Sequence, residues 1–348
     1  MIKTKLHKDI QEVLNAVEIL TETSYNIKDI QRDLTQIKLK SDDGEVLQKD
    51  PKRNDLFFKE ILRSDIYNQL YKFNVPDKNS FLGEVMNGNF LENLSNANNG
   101  SGTWEDNWLI VGEEFSTGKI IVKKKDIMFW VNKDEVISSN ESYVNNTPCL
   151  VKIEKEIKNL NPSFYMVFGN TNKEKINKFE NQLTRFYWNL TPTGAIKYIK
   201  LVTERLNEKK CCFRTKVLSN PQEYNRSDAG VLYLDTSQLS VALPIIMEIY
   251  NDLKSYLKDK TPLFSKQLAR GLSFAEDPQD GNSFGISRAE IISDTLYDCF
   301  QNKILSKNEI SNEICSSFLS KGINPNYPYC SQSKLDNYEI LLNSIILN

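Results

Sequence analysis

Thr184-Arg-Phe-Tyr-Trp-Asn-Leu190, then Thr191-Pro-Thr-Gly-Ala-Ile-Lys-Tyr-Ile-Lys-Leu-Val-Thr-Glu-Arg-Leu-Asn-Glu208, then Cys211-Cys-Phe-Arg-Thr-Lys-Val-Leu218 follow one another with almost no spacer. The first stretch is aromatic and predicts a strand. The second opens on Pro192 behind a Thr191 N-cap and predicts a helix to about Glu208. The third predicts a strand, and Ala229 to Leu234 predicts the next with no helix between them. Strands and helices therefore do not alternate strictly. That order favours an α+β fold with a largely antiparallel sheet flanked by helices over a doubly wound one.

Working outward, Ser163 to Gly169 is another aromatic strand, and Trp108 to Gly112 with Lys119 to Lys123 predicts a pair of strands turning at Ser116 to Gly118. Asp235 or Ser237 is placed to cap a helix reaching Leu257. Phe264 to Gly285 is a glycine-punctuated loop, followed by a helix from Ser287 to about Phe300. From Ser306 the chain is helical, with a break at Asn324 to Tyr329. Toward the N-terminus, apolar residues recur at helical spacing from Lys5 to Leu20 and again from Asp55 to Phe73. Leu94 to Gly102 (LSNANNGSG) is a loop or boundary. This divides the chain into an N-terminal helical region, 1–100, and an α+β domain, 101–348.

The 348 residues are 40% apolar and 26% charged, an ordinary globular composition. A formal charge of -2 argues against a general nucleic-acid binder. Six cysteines form no CxxC pair, which points to reduced structural thiols. The only histidine is His7, which disfavours a zinc site and a histidine-based nucleophilic triad. With no apolar leader and no run long enough to span a bilayer, a cytoplasmic protein is expected, without membrane partners. The alternative is a secreted effector lacking a cleaved signal.

Cations gather in three segments: Arg185; Arg214 and Lys216 with Tyr224 and Arg226; and Lys266, Arg270 and Arg288. On a strand, Cys212, Arg214 and Lys216 share a face because the side-chain period is two. Such a face needs solvent or an anionic partner, and solvent alone explains many of them. Gly281, Ser283 and Gly285 precede a helix whose free N–H groups favour an anion, although the same residues fill ordinary caps.

Taken in order, Arg185-Phe-Tyr-Trp-Asn-Leu190, Phe213 to Lys216, Tyr224-Asn-Arg-Ser-Asp-Ala-Gly-Val-Leu-Tyr233, Pro262 to Lys266, Ala275-Glu-Asp-Pro278 and Ser283-Phe-Gly285 resemble the HopA-type effector family. That family includes type III effectors of plant pathogens and lyase-like proteins of lanthipeptide and thioamitide-type ribosomal-peptide clusters. The resemblance runs from about Thr184 to Arg288. It implies a fold similar to phosphothreonine lyases, which β-eliminate phosphate to leave dehydroalanine or dehydrobutyrine.

Carried onto this chain, the resemblance implies Lys216, Lys266 and Tyr224 as catalytic groups and Arg226, Arg288, Arg214 and Arg185 as phosphate ligands. Asp228, Glu276 and Asp277 would orient them, or only brace turns. No metal or cofactor is implied. The substrate would be a phosphorylated Ser/Thr peptide, phosphorylated by a separate kinase-like partner, since no nucleotide loop occurs here. Elimination needs a base, and a lysine serves only if its pKa falls well below ~10.4, as burial and neighbouring cations would make it. Phosphothreonine lyases use a histidine acid; with none after His7, the donor here would be Arg, Lys or Tyr224. The competing function is a non-catalytic effector or scaffold that holds a phosphorylated or acidic partner.

Overall fold

The computed structural model describes residues 6–36, 51–72, 89–124, 127–138, 143–161, 163–171, 183–331, 338 and 342. Its centre is a seven-stranded antiparallel sheet in the order β14-β15-β11-β13-β12-β10-β9. The strands are β9 (Glu156–Asn161), β10 (Phe164–Phe168), β11 (Leu183–Trp188), β12 (Phe213–Leu218), β13 (Gly230–Asp235), β14 (Lys266–Ala269) and β15 (Leu272–Glu276). Every residue of β11 and β13 is buried, so these two strands are covered on both sides.

One sheet face is apolar. Phe186, Trp188, Leu232, Leu234, Val217 and Phe274 lie on it, all but inaccessible to solvent. The helix α4 (Pro192–Glu208) packs on this face, with Trp188 and Tyr198 rings 5.3 Å apart and the Tyr198 hydroxyl 2.8 Å from Thr215 Oγ1. Thr191 caps α4 by accepting from Gly194 N at 3.2 Å, as its sequence predicts. The following helix, α5 (Leu239–Leu253), carries Pro244 inside it.

The N-terminal region is not purely helical. α1 covers Lys8–Ala16, and Val17 then enters the strand β1 (Val17–Thr21), paired with β2 (Ser24–Ile27) and β3 (Ile30–Asp33). Over so short a run Val17, Ile19 and Leu20 fit either spacing, and pairing with β2 decides for the strand. α2 (Pro51–Asp65) runs into a π-helical turn, Ile66–Tyr71. Lys5 and Phe73, the outer limits of the two predicted helices, lie outside the described residues. α3 (Phe90–Ala97) takes up the first part of the predicted Leu94–Gly102 loop, as far as Ala97; Asn98 to Gly102 is irregular as expected.

Phe264 to Gly285 is also more ordered than a loop. β14 and β15 form a hairpin whose turn contains Gly271 at φ +68°, where an added Cβ would fall 2.3 Å from Lys258 O. Leu272, Phe274 and Ala275 supply the apolar surface that draws this segment into the sheet. α6 (Phe284–Gln301) follows, capped by Ser283, and α7 covers Lys307–Ser320. Gly285 lets α6 approach the π turn, since a Cβ there would meet the Tyr71 ring at 2.4 Å.

Residues 103–153 form a second, five-stranded antiparallel sheet, β6-β5-β4-β8-β7. Its strands are β4 (Thr103–Glu114), β5 (Lys119–Lys124), β6 (Ile127–Val131), β7 (Val136–Ser138) and β8 (Pro148–Ile153). It has its own small core of Trp108, Ile110, Ile120, Val122, Val136, Cys149 and Val151. All six cysteines are free, and no described helix is long and apolar enough to cross a membrane.

Candidate functional site

The second face of the large sheet is cationic and aromatic. Register places Arg185 beside Tyr233, Tyr233 beside Arg214, and Arg214 beside Phe168, while Lys216 lies beside Val231 and Met166. The Tyr233 ring sits 5.4 Å from the Arg185 guanidinium carbon, 5.8 Å from that of Arg214 and 5.9 Å from Lys216 Nζ. Phe164 lies 4.2 Å from Lys216 Nζ and 5.3 Å from the Arg226 guanidinium carbon. Ring quadrupoles thus hold together cations that would repel one another.

Two carboxylates fix two of the arginines. Arg226 makes a bidentate pair with Asp228, Nε–Oδ1 2.6 Å and Nη2–Oδ2 2.7 Å. Arg185 donates from Nε at 2.8 Å and Nη2 at 2.5 Å to Asp277 Oδ2. Burial pushes the Asp228 carboxyl up, yet Arg226, Lys216 and Lys72 together hold it below its ordinary value. Lys72, at the end of the π turn, lies 5.2 Å from the Tyr67 ring, and burial, reinforced by Arg226, lowers its pKa. Lys216 and Lys72 form no ion pair within 4.0 Å among the described residues.

Tyr67, Tyr71 and Phe284 roof one end of this face. The Tyr67 hydroxyl stands 3.4 Å from both Arg226 Nη2 and Asp228 Oδ2. The hydroxyl of Tyr187 is buried among Arg185, Tyr71 and Tyr233, and burial raises its pKa to about 12. The Arg185 guanidinium and the Tyr71 hydroxyl beside it favour its ionised form and offset part of that rise.

The structure does not bring all the predicted site residues to this face. Tyr224 is 2% exposed, donates its hydroxyl to Leu218 O at 2.7 Å and packs edge-on against Phe90. Arg288 is fully buried, donating to Pro328 O (2.7 Å), Cys330 O (3.1 Å), Ser331 Oγ (2.8 Å) and Ser287 Oγ (3.1 Å). Burial lowers its pKa to about 10, which leaves it charged at neutral pH. Glu276 accepts from Ser331 N and the Tyr338 hydroxyl, both at 2.5 Å, and its own N–H donates to Tyr329 O at 2.8 Å.

Lys266 pairs with Phe274, and Phe274 with Phe186, so it projects on the opposite side of the sheet from Arg185. Its Nζ is 3.5 Å from the Tyr329 hydroxyl, in a cleft of about 350 Å³ that also contains His7. His7 caps α1 by accepting from Asp9 N at 3.3 Å. Arg288, Glu276 and Lys266 therefore grip the segment Pro328–Ser331. Arg185, Arg214, Lys216, Arg226, Asp228 and Asp277 form the other group.

Lys72, Tyr67, Tyr71, Tyr187, Tyr233 and Phe164 are the contributors that sequence reasoning missed. Tyr187 alternates with Arg185 at period two, and that signal was available. Nothing in the local sequence announces that Tyr67 and Lys72 fold over the sheet.

Fold and site define a mixed α+β protein built round a cation-lined, aromatic sheet face. The HopA1 effector protein family model matches residues 156–330 of the 348, and the chain belongs to that family. The matched segment contains Arg185, Arg214, Lys216, Arg226, Asp228, Tyr233 and Asp277; it excludes Lys72 and the five-stranded sheet. The effector protein from Pseudomonas syringae pv. tomato strain DC3000 is similar at 18% identity, covering 79% of this chain and 95% of that one, with a TM-score of 0.44. The effector protein from Pseudomonas syringae pv. syringae strain 61 shows 15% identity over 79% and 94%, with a TM-score of 0.43. No curated protein matches the chain.

Proposed function

We propose that the Arg185–Arg214–Lys216–Arg226 face binds the phosphate of a phosphoserine or phosphothreonine peptide and eliminates it. The observation that carries this reading is the excess of cations over carboxylates on one half-buried face, with Arg214 and Lys216 beside the Arg226–Asp228 and Arg185–Asp277 pairs. A dianion relieves the repulsion, and arginine binds phosphate oxygens in bidentate fashion.

In the proposed reaction a lysine amine in its neutral form takes the Cα proton. The C–H electrons become the Cα=Cβ bond, and the Cβ–O bond breaks with its electron pair leaving on phosphate. The products are a dehydroamino acid, inorganic phosphate and an ammonium group. Lys72 suits the base, because burial and Arg226 ease its deprotonation. Lys216, among Arg214 and Arg226, suits the developing negative charge. The Tyr187 hydroxyl, in place of a histidine, suits the departing phosphate.

This chemistry fits ribosomal-peptide maturation in a cytoplasm, after a kinase-like partner has acted. Retention of a phosphorylated partner by a delivered effector, without turnover, is the second reading. It is favoured by Asp228 and Asp277, which already satisfy two of the arginines.

Mass spectrometry of a phosphothreonine peptide incubated with the protein separates them. Loss of the elements of phosphoric acid is expected from the native chain. Lys72→Met should abolish loss while binding persists, and Lys216→Met should weaken binding as well, both proteins remaining folded. Binding with unchanged mass supports the second reading, and absence of binding contradicts both.

A further inference from the structure

Two stretches that carry the family resemblance, Pro262 to Lys266 and Ser283-Phe-Gly285, supply none of the groups proposed to bind or eliminate phosphate. Both meet at Tyr71, which is 2% exposed and immediately precedes Lys72. From the first stretch, Leu263 N donates to Tyr71 O at 3.3 Å, and the Phe264 ring stacks on the Tyr71 ring at 6.4 Å and 20°. Phe264 holds φ at +68°, a left-handed conformation uncommon for a bulky residue. The buried Asp9 carboxylate keeps it there, accepting from Phe264 N at 2.7 Å. From the second stretch, Phe284 lies 6.3 Å from the Tyr71 ring. A Cβ on Gly285 would stand 2.6 Å from Cδ1 and Cζ of that ring, and nearer still to Cε1. The ring also carries Tyr67 stacked at 5.2 Å and 17°. In so close-packed a place an added methyl displaces its neighbour.

A third hold comes from the sheet side. Ser227, between Arg226 and Asp228, donates its N–H to Lys72 O at 2.9 Å and its hydroxyl to Tyr71 O at 3.4 Å. The backbone of Lys72 is thereby tied to the segment that bears Arg226. π-Helical turns recur at functional sites, and this one is seated at three points. We propose that Gly285 and Phe264 are positioning residues: by fixing the Tyr71 ring they set where the π turn brings the Lys72 amine relative to Arg226. This role rests on the elimination reading, in which Lys72 is the base; the seat itself is open to a test that needs no turnover.

Gly285→Ala, Tyr71→Leu and the double variant are compared by three measurements. These are elimination from a phosphothreonine peptide, affinity for its methylene phosphonate analogue, and the pH midpoint at which trace acetic anhydride labels Lys72. Arg226, Asp228 and Glu223 are the charged groups that act on Lys72, and the Tyr67 ring lies against it. In Gly285→Ala, elimination should fall at least about tenfold while phosphonate affinity stays within about threefold. The labelling midpoint should rise by roughly half a pH unit or more, as Lys72 leaves Arg226 and gains solvent. In the Tyr71→Leu background the same substitution should change rate and affinity by less than about twofold and leave the midpoint in place, because the ring it strikes is gone. Phe264→Leu removes the stacked ring but keeps an apolar side chain. It should move the midpoint the same way by a smaller amount, and it decides the question if Gly285→Ala fails to fold by far-UV circular dichroism. A folded variant with the native midpoint, or an equal effect of Gly285→Ala in both backgrounds, overturns the seat. A shifted midpoint in a protein whose native form eliminates no phosphate supports the seat and removes the reaction assigned to Lys72.

Discussion

Arg226 and Arg288 are both held in place by hydrogen bonds, but their partners differ in kind. Arg226 faces one carboxylate, the Phe164 ring and the Tyr67 hydroxyl on a sheet face that also carries Arg185, Arg214 and Lys216. Arg288 donates hydrogen bonds only to neutral groups, the carbonyls of Pro328 and Cys330 and the hydroxyls of Ser287 and Ser331, and lies over the Phe284 ring. Four donated hydrogen bonds and complete burial leave Arg288 almost nothing to offer a ligand. It locks the Pro328–Ser331 segment onto α6. The same residue type thus lines a cationic sheet face in one region and seats a chain segment in the other, and partner chemistry separates the two.

The contrast is sharpest at Arg288. Arg288→Ala strands two buried carbonyls and opens a cavity, so chemical denaturation should show a loss of about 3–5 kcal/mol. A loss under about 1 kcal/mol would erase the distinction drawn here. Phosphopeptide affinity per folded molecule should change little.

Asp228 offers a smaller effect with a pH signature. Its folded pKa is depressed, so its contribution is present above the unfolded carboxylate value, near 3.9, and is lost as pH falls through the folded value. Asp228→Asn should cost about 1–3 kcal/mol at neutral pH, and the gap from the native protein should narrow below about pH 4. Urea melts across that range measure it; a gap independent of pH would show that the Arg226–Asp228 pair carries no such linkage.

Much of this architecture was legible in advance. Thr191, Pro192 and the aromatic run before them fix β11 and α4 because capping and strand alternation are local signals. Val17 to Leu20 misled, since Val17, Ile19 and Leu20 fit helical and strand spacing equally over so short a run. The β14–β15 hairpin was hidden because its apolar residues are few and its turn rests on Gly271. For the site, period two put Arg214 and Lys216 on one face, while the family resemblance singled out Arg185, Arg226 and Asp228. Lys266 and Arg288 belong to the motifs that carry the family resemblance, yet the structure uses them to hold Pro328–Ser331. No pattern in one sequence separates a cation that binds a ligand from one that binds its own backbone. Lys72 and Tyr67 reach the site only through the packing of the π turn, which local sequence does not encode.

The most direct test is a crystal of the protein soaked with a phosphothreonine-peptide analogue whose bridging oxygen is replaced by methylene, so that it cannot eliminate. The phosphonate is expected against Lys216, Arg214 and Arg226, within reach of the Tyr187 hydroxyl. A phosphonate lodged instead in the cleft between His7, Lys266 and Tyr329 would contradict the account.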